Sequence, residues 1–219
     1  MDEPSARRGL TNVHGAAALP RDVERWGSHW AFDGYAPWLR RLAQAPSWNA
    51  SELASILQTS VAFDAQAGKL KAGLDASDVD GSYADCCVRG TVPTRRDNLH
   101  DLLNALVWAR FPRAKHALSL RQVALARARD AVVGPRVRTR EQDACAMVDE
   151  GGMVVGPARR AIFGHAALED AILGRGLRPF VLHVASDDFD DALAAVFADP
   201  QPLPRVRERH VLLGDTSAA

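Results

Sequence analysis

Pro93-Thr-Arg-Arg-Asp-Asn-Leu-His-Asp-Leu-Leu-Asn-Ala-Leu-Val-Trp-Ala-Arg-Phe-Pro112 is the stretch from which the rest of this chain can be read. It reads as one helix over about 97–111. Thr94-Arg-Arg-Asp97 fits a capping box with Asp in place of Glu or Gln, and Asp97 is an alternative N-cap one turn later. Pro112 stops the helix, because it lacks an N–H and disfavours α geometry at Phe111. Leu99, Leu102, Leu103, Leu106 and Val107 share one broad face at helical spacing. His100, Asn104, Trp108 and Phe111 form a second stripe beside it. From Asp97 to Arg110 the ionisable side chains inside are His100 and Asp101 alone. A helix apolar on nearly every side belongs in a core. It nevertheless carries Asn98, His100, Asp101 and Asn104 there. A buried polar group without a hydrogen bond costs about 2–7 kcal/mol. This helix therefore either anchors a polar network or lines a site.

The totals narrow the setting. A chain of 219 residues, 47% hydrophobic and 25% charged, has the make-up of a soluble globular domain with a substantial core. Its 27 basic and 27 acidic residues cancel, so no whole-chain field draws it to nucleic acid or to an acidic membrane surface. Three cysteines with no CxxC or Cys/His zinc spacing read as reduced thiols in a cytoplasmic protein, and Cys86 and Cys87 as packing residues. The start Met-Asp-Glu-Pro has no apolar h-region, and no run approaches the length of a membrane span.

Outward from the organising helix, residues 1–20 read as a loose arm, 21–200 as a single globular domain and 201–219 as a poorly ordered tail. Trp26, Trp30, Phe32, Tyr35 and Trp38 are expected to pack an N-terminal helical segment onto the core. Short helices follow at Trp38 and at Ser51, the second capped by Asn49 or Ser51. Val61–Phe63 is a candidate strand. The acidic loop Leu74–Gly81 lacks the spacing and the final Glu of a calcium loop. After Pro112 a second long helix spans Ala114 to Ala131. Arg121, Arg127 and Arg129 on it read as solvated charge. Ala144–Val155 reads as a hairpin turning at Asp149-Glu-Gly-Gly152. Ile162 to Leu173 begins extended and becomes a helix, stopped by Gly174 and Gly176. Arg178–Ala185 reads as a strand, and Ser186 as the cap of a helix over 187–198. The expected fold class is α+β: helix-rich, with a small, mainly antiparallel sheet around a buried central helix.

Two polar groups could carry chemistry. The first is Arg95, Asn98, His100, Asp101 and Asn104, with Lys115 just beyond. The second is His165 and Glu169, one helical turn apart and able to bind a metal or each other. Asp149 and Glu150 at the expected hairpin tip are a weaker third. If His100 and His165 share a pocket, imidazole can serve as metal ligand or general base, with Asp101 or Glu169 orienting it. Asn104 could hold a water or a substrate carbonyl. Arg95, Asn98 and Lys115 would then bind substrate, the two cations attracting phosphate or carboxylate. Two functions remain open. One, slightly favoured, is a non-catalytic ligand- or protein-binding domain whose polar residues hold the helix in place. The other is a metal-assisted hydrolase-like enzyme acting on a phosphoester or similar bond. A divalent metal is compatible with these residues; no partner is indicated.

Val92-Pro-Thr-Arg-Arg-Asp-Asn-Leu-His-Asp through Lys115 closely resembles the signature of a bacterial domain-of-unknown-function family, DUF3025. Asp143-Ala-Cys-Ala-Met-Val-Asp-Glu-Gly-Gly152 and Ile162-Phe-Gly-His-Ala-Ala-Leu-Glu169 resemble its second and third blocks. The resemblance covers roughly residues 80–185. It implies a shared core and shared site blocks, and no named reaction. The chain departs from the pattern at Gln142, where the family tends to have Arg. The Val155–Ala161 connection is also short, and the C-terminus lacks a Pro/Gly/Trp-rich segment.

Overall fold

The computed structural model describes residue 23 and residues 25–45, 48–66, 82–95, 98–132 (side chains to 128) and 138–203. The expected arm at 1–20, the acidic loop 74–81 and nearly all of the expected tail lie outside these residues. The order begins with a 3-10 turn Trp30–Phe32, α1 Ala36–Gln44, α2 Ala50–Leu57, β1 Ala62–Gln66, α3 Tyr83–Val88 and β2 Thr91–Arg95. It continues through α4 Leu99–Arg110, α5 Pro112–Val132, α6 Arg140–Gly151, β3 Gly152–Val155, β4 Arg160–Ile162, α7 His165–Ile172, β5 Phe180–His183 and α8 Phe189–Ala198. This is an α+β fold, helix-rich with two small sheets.

The strand pairing differs from expectation. β1 and β2 pair in parallel, and in the order β4-β3-β5 only β3–β4 is antiparallel. Among the described residues the sheets are thus mixed rather than mainly antiparallel. Parallel neighbours need a crossover between them, and α3 and α7 lie in the two connections. Period-2 patterning reveals a strand but says nothing about the direction of its partner.

α4 is the central helix. Leu102 through Trp108 are buried without interruption, so no face of that segment meets water. It packs against β2, α2, α5 and α7. Its cap is Asn98, whose side chain accepts from the Asp101 N–H. The Thr94 cap is ruled out because Thr94 belongs to β2, with its hydroxyl donating to the Val92 carbonyl. Pro112 ends α4 as expected and also opens α5, where a missing N–H costs nothing. Asp190 of α8 caps that start, accepting from the N–H groups of Ala114 at 2.8 Å and Arg113 at 3.2 Å.

The aromatic cluster does what was expected of it. Tyr35 is fully buried, donates to the Ile162 carbonyl at 2.7 Å and meets Phe111 edge-on. Phe111 meets Phe163, and Phe163 meets Phe197, so one run of rings ties the N-terminal segment to β4 and α8. Asn49 is the cap of α2 and Ser51 lies inside it. Arg121 is no solvated charge. It is nearly buried, bonded to Glu141, and it donates to the carbonyls of Phe197 in the last turn of α8 and of Asp199 and Gln201 just beyond it. The cap of α8 is Asp188 rather than Ser186, which instead accepts from the Asp188 N–H.

The expected hairpin over Ala144–Val155 is absent. Those residues form the last two turns of α6, which runs directly into β3 at Gly151–Gly152. α6 is fixed at its start by a full capping box, Thr139 and Gln142. The antiparallel turn comes later, between Val155 and Arg160.

Candidate metal site

Three segments converge on one point. His100 comes from the first turn of α4, Glu150 from the last turn of α6 and His165 from the first residue of α7. The two Nε2 atoms are 2.9 Å apart, and Glu150 Oε2 lies 3.3 Å from His165 Nε2 and 3.8 Å from His100 Nε2. Two donors bound to one ion at about 2.1 Å sit about 3.0 Å apart at right angles and about 3.4 Å apart at the tetrahedral angle. The observed separations cluster around that range, and Glu150, half exposed, has room to close the longest. Among the described residues this is the one group of histidine, cysteine and carboxylate side chains with such spacing.

The backbone around Gly164 makes the convergence close. The Gly152 carbonyl accepts from both Phe163 and Gly164, at 2.8 and 2.9 Å. A Cβ on Gly164 would run into the Glu150 carbonyl and the Gly152 nitrogen. These are backbone atoms that cannot step aside. Gly164→Ala is therefore expected to cost about 1–3 kcal/mol, as overpacking does. Urea denaturation measures it, and a loss within a few tenths would mean that the contact relaxes freely.

The two histidines have different surroundings. His100 is about one-third exposed, and its Nδ1 lies 2.9 Å from Glu169 Oε2. The Glu169 hydrogen bond holds the His100 pKa above its ordinary value, and His100 in turn holds the Glu169 carboxyl below its own. A neutral His100 that donates Nδ1–H to Glu169 presents its Nε2 lone pair to the convergence point. His165 is 4% exposed, and burial above all pushes its pKa down to about 3. It is a neutral imidazole at any ordinary pH, the form that ligates metals.

Under this centre lies a second, largely buried network. Lys115 is 2% exposed; its Nζ donates to Asp149 Oδ1 at 2.5 Å and to Asn104 Oδ1 at 2.9 Å. The Asn104 amide donates onward to the Tyr83 hydroxyl. Burial alone would raise the Asp149 pKa, but Lys115 and the two histidines leave it below its ordinary value. Burial holds Tyr83 well above its usual range and pushes the Cys87 thiol up to about 12. Asp149 immediately precedes Glu150, so this network anchors the end of α6 that carries a donor.

The sequence-derived candidates thus separate. His100, His165 and Glu169 come together, but Glu169 pairs with His100 rather than with its helical neighbour His165. Asp101 does not face His100. It accepts from the Arg95 N–H, Nε and Nη2 at 2.6, 2.9 and 2.7 Å. Arg95 also reaches Asn98, so it is engaged rather than free for a phosphate. Lys115 is likewise committed, to Asp149. Asn104 holds Lys115 and Tyr83 instead of a water or a carbonyl. Glu150 lies in the last turn of α6 and not on the expected hairpin tip. Thr139-Arg-Glu-Gln142 is a Ser/Thr-x-x-Gln capping pattern, and it marks a helix whose last turn delivers Glu150.

Fold and geometry together define the class: an α+β protein in which two imidazoles and one carboxylate point at a common centre. Solved structures with the same fold are phenylalanine hydroxylases from Chromobacterium violaceum. The structure with bound oxidized Fe(III) is 15% identical, covering 87% of this chain and 86% of that chain with a TM-score of 0.50. The enzyme bound to cobalt is 16% identical, covering 87% and 84% with a TM-score of 0.51. A point variant of it is 15% identical, covering 87% and 84% with a TM-score of 0.53. No curated protein matches the chain. Residues 74–171, a stretch that holds all three donors, match the family described as "Protein of unknown function (DUF3025)". No helix among the described residues is long and apolar enough to cross a membrane.

Proposed function

We propose that this chain is a metal-dependent enzyme holding one divalent transition-metal ion, of the iron kind, on His100, His165 and Glu150. The observation that carries the reading is the convergence of those three donor atoms at ligand spacing. The donor set fits such an ion: two neutral imidazoles and one carboxylate are borderline ligands with a single negative charge. Two histidines and one carboxylate, with the remaining positions open, are the donor set of mononuclear non-haem iron sites. The fold neighbours with bound Fe(III) and cobalt support the same choice.

When bound, such an ion supplies a Lewis-acidic, redox-capable centre with open coordination positions. The chain's own residues set the rest. Glu169 keeps a proton on His100 Nδ1 and so aims Nε2. Burial keeps His165 unprotonated. Lys115 and Asp149 hold the α6 terminus that presents Glu150. The non-catalytic scaffold reading is less well supported, because a purely structural network would satisfy both histidines with backbone groups. The phosphoester reading is weakened because Arg95 and Lys115, its anion-binding cations, are already paired.

The test is metal content. Protein reconstituted anaerobically with Fe(II) or Co(II) and freed of excess is expected to retain one ion per chain. His165→Ala and Glu150→Gln are expected to retain none while keeping the circular dichroism of the parent. A folded parent protein that keeps no stoichiometric ion overturns the reading.

A further inference from the structure

Glu150 lines more than the metal site. It is also part of the wall of a groove of about 440 Å3 between the ends of α6 and α7 and the segment leading into β5. That volume lies in the range of small-molecule sites. The floor is apolar, with Ala146, Met147, Leu177 and Phe180. Met147 is 41% exposed there, a large apolar side chain left open to water. The other charged groups lining it are Asp170 and Arg178. They are not equivalent. Asp170 is tied to Arg175 at 3.2 Å. Arg178 is exposed and, among the described residues, makes no hydrogen bond or ion pair.

An apolar floor with one unengaged guanidinium selects by charge. A neutral apolar molecule gains only the floor. An amine meets a cation and finds both acids of the wall engaged, Glu150 toward the two histidines and Asp170 with Arg175. An acid gains both the floor and a planar fork that matches a carboxylate in two-point geometry. We infer that this groove binds a small organic acid, its apolar body against Met147, Leu177 and Phe180 and its carboxylate on Arg178, beside Glu150. Its role as a substrate site rests on the metal-enzyme reading above; its selectivity for an acid does not.

Both parts can be read separately. Hexanoate, hexanol and hexylamine are titrated into metal-free protein and followed by NMR. Hexanoate is expected to bind about three- to tenfold more tightly than the other two, a modest ratio because Arg178 is solvent-exposed. Arg178→Gln is expected to remove that preference and leave hexanol unchanged. Gly176 offers a plug, since a Cβ there meets nothing within 4 Å. Gly176→Leu is expected to block all three probes, with Gly176→Ala as the control for folding. Hexanoate binding no better than hexanol, or keeping its advantage in Arg178→Gln, overturns the proposal. The same titration in Mn(II)-loaded protein tests the placement. Broadening of the hexanoate protons by the bound ion is expected. A groove that binds hexanoate without broadening, in protein shown to hold Mn(II), is not the substrate site. Failure to hold Mn(II) at all counts against the metal reading, and the metal-free titration still decides the acid-binding groove.

Discussion

Replacing Lys115 by Met is expected to remove about 3–5 kcal/mol of stability, the usual cost of stranding one member of a buried ion pair. Total stabilities are only about 5–15 kcal/mol, so the loss is a large share of what holds the fold. The reason is local. Lys115 is almost wholly buried, its ammonium sits among the Trp108 and Phe163 rings, and Asp149 has that ammonium as its compensating charge. Without Lys115 a carboxylate remains in a site built for a pair. The double variant Lys115→Met, Asp149→Leu is expected to recover most of the loss, because an apolar pair of similar size is often as stable as the ions it replaces. Chemical denaturation of the two variants decides. A single variant within about 1 kcal/mol of the parent, or a double variant no better than the single, would show that the pair is not what holds this region. The pH dependence follows from the sign of the shift. Asp149 has a folded pKa below its ordinary value, so the pair contributes fully at neutral pH. Its contribution is lost as pH falls through that depressed pKa.

The second large effect concerns a residue that touches no metal. Glu169→Gln leaves His100, His165 and Glu150 in place but removes the carboxylate that holds His100 Nδ1. Removing such an orienting partner typically weakens metal affinity about 10–100-fold. Competition with a chelator of known affinity gives the ratio directly. A folded Glu169→Gln protein with parental affinity would mean that the Glu169–His100 contact only steadies α7 against α4. Glu169→Asp, whose shorter side chain retracts the carboxylate, is expected to fall between the two.

Much of this was readable in the letters. α4 announces itself by a leucine face and by Pro112, and its burial follows from having almost no charge to expose. His100 and His165 are conspicuous because each interrupts an apolar run. What periodicity cannot supply is partnership. Nothing local says that Glu169 reaches across to His100 rather than along its own helix to His165, or that Lys115 reaches back across the α4–α5 junction to Asn104. Those choices depend on how α4, α5, α6 and α7 dock. The difference at Ala144–Val155 has another cause. Asp149-Glu-Gly-Gly152 has the composition of a turn, yet a capped helix carried the chain through it, and tertiary packing decided the outcome. With the hairpin went the position of Glu150, so a donor was placed on an exposed tip. The parallel pairings were hidden for the same reason, since strand direction is a property of the whole path.

The doubly used carbonyl of Gly152 also bears on the order of assembly. It binds the chain leaving β4 to the junction where α6 becomes β3, so Glu150 and His165 ride on one compact loop of sequence closed by neighbouring strands. Such short-range closures form fast. His100 arrives from a remote part of the polypeptide, and only when α4 settles against α7. On the proposed metal reading, two donors lie close in sequence and the last joins through long-range docking, so tight ion capture is expected to report completed folding.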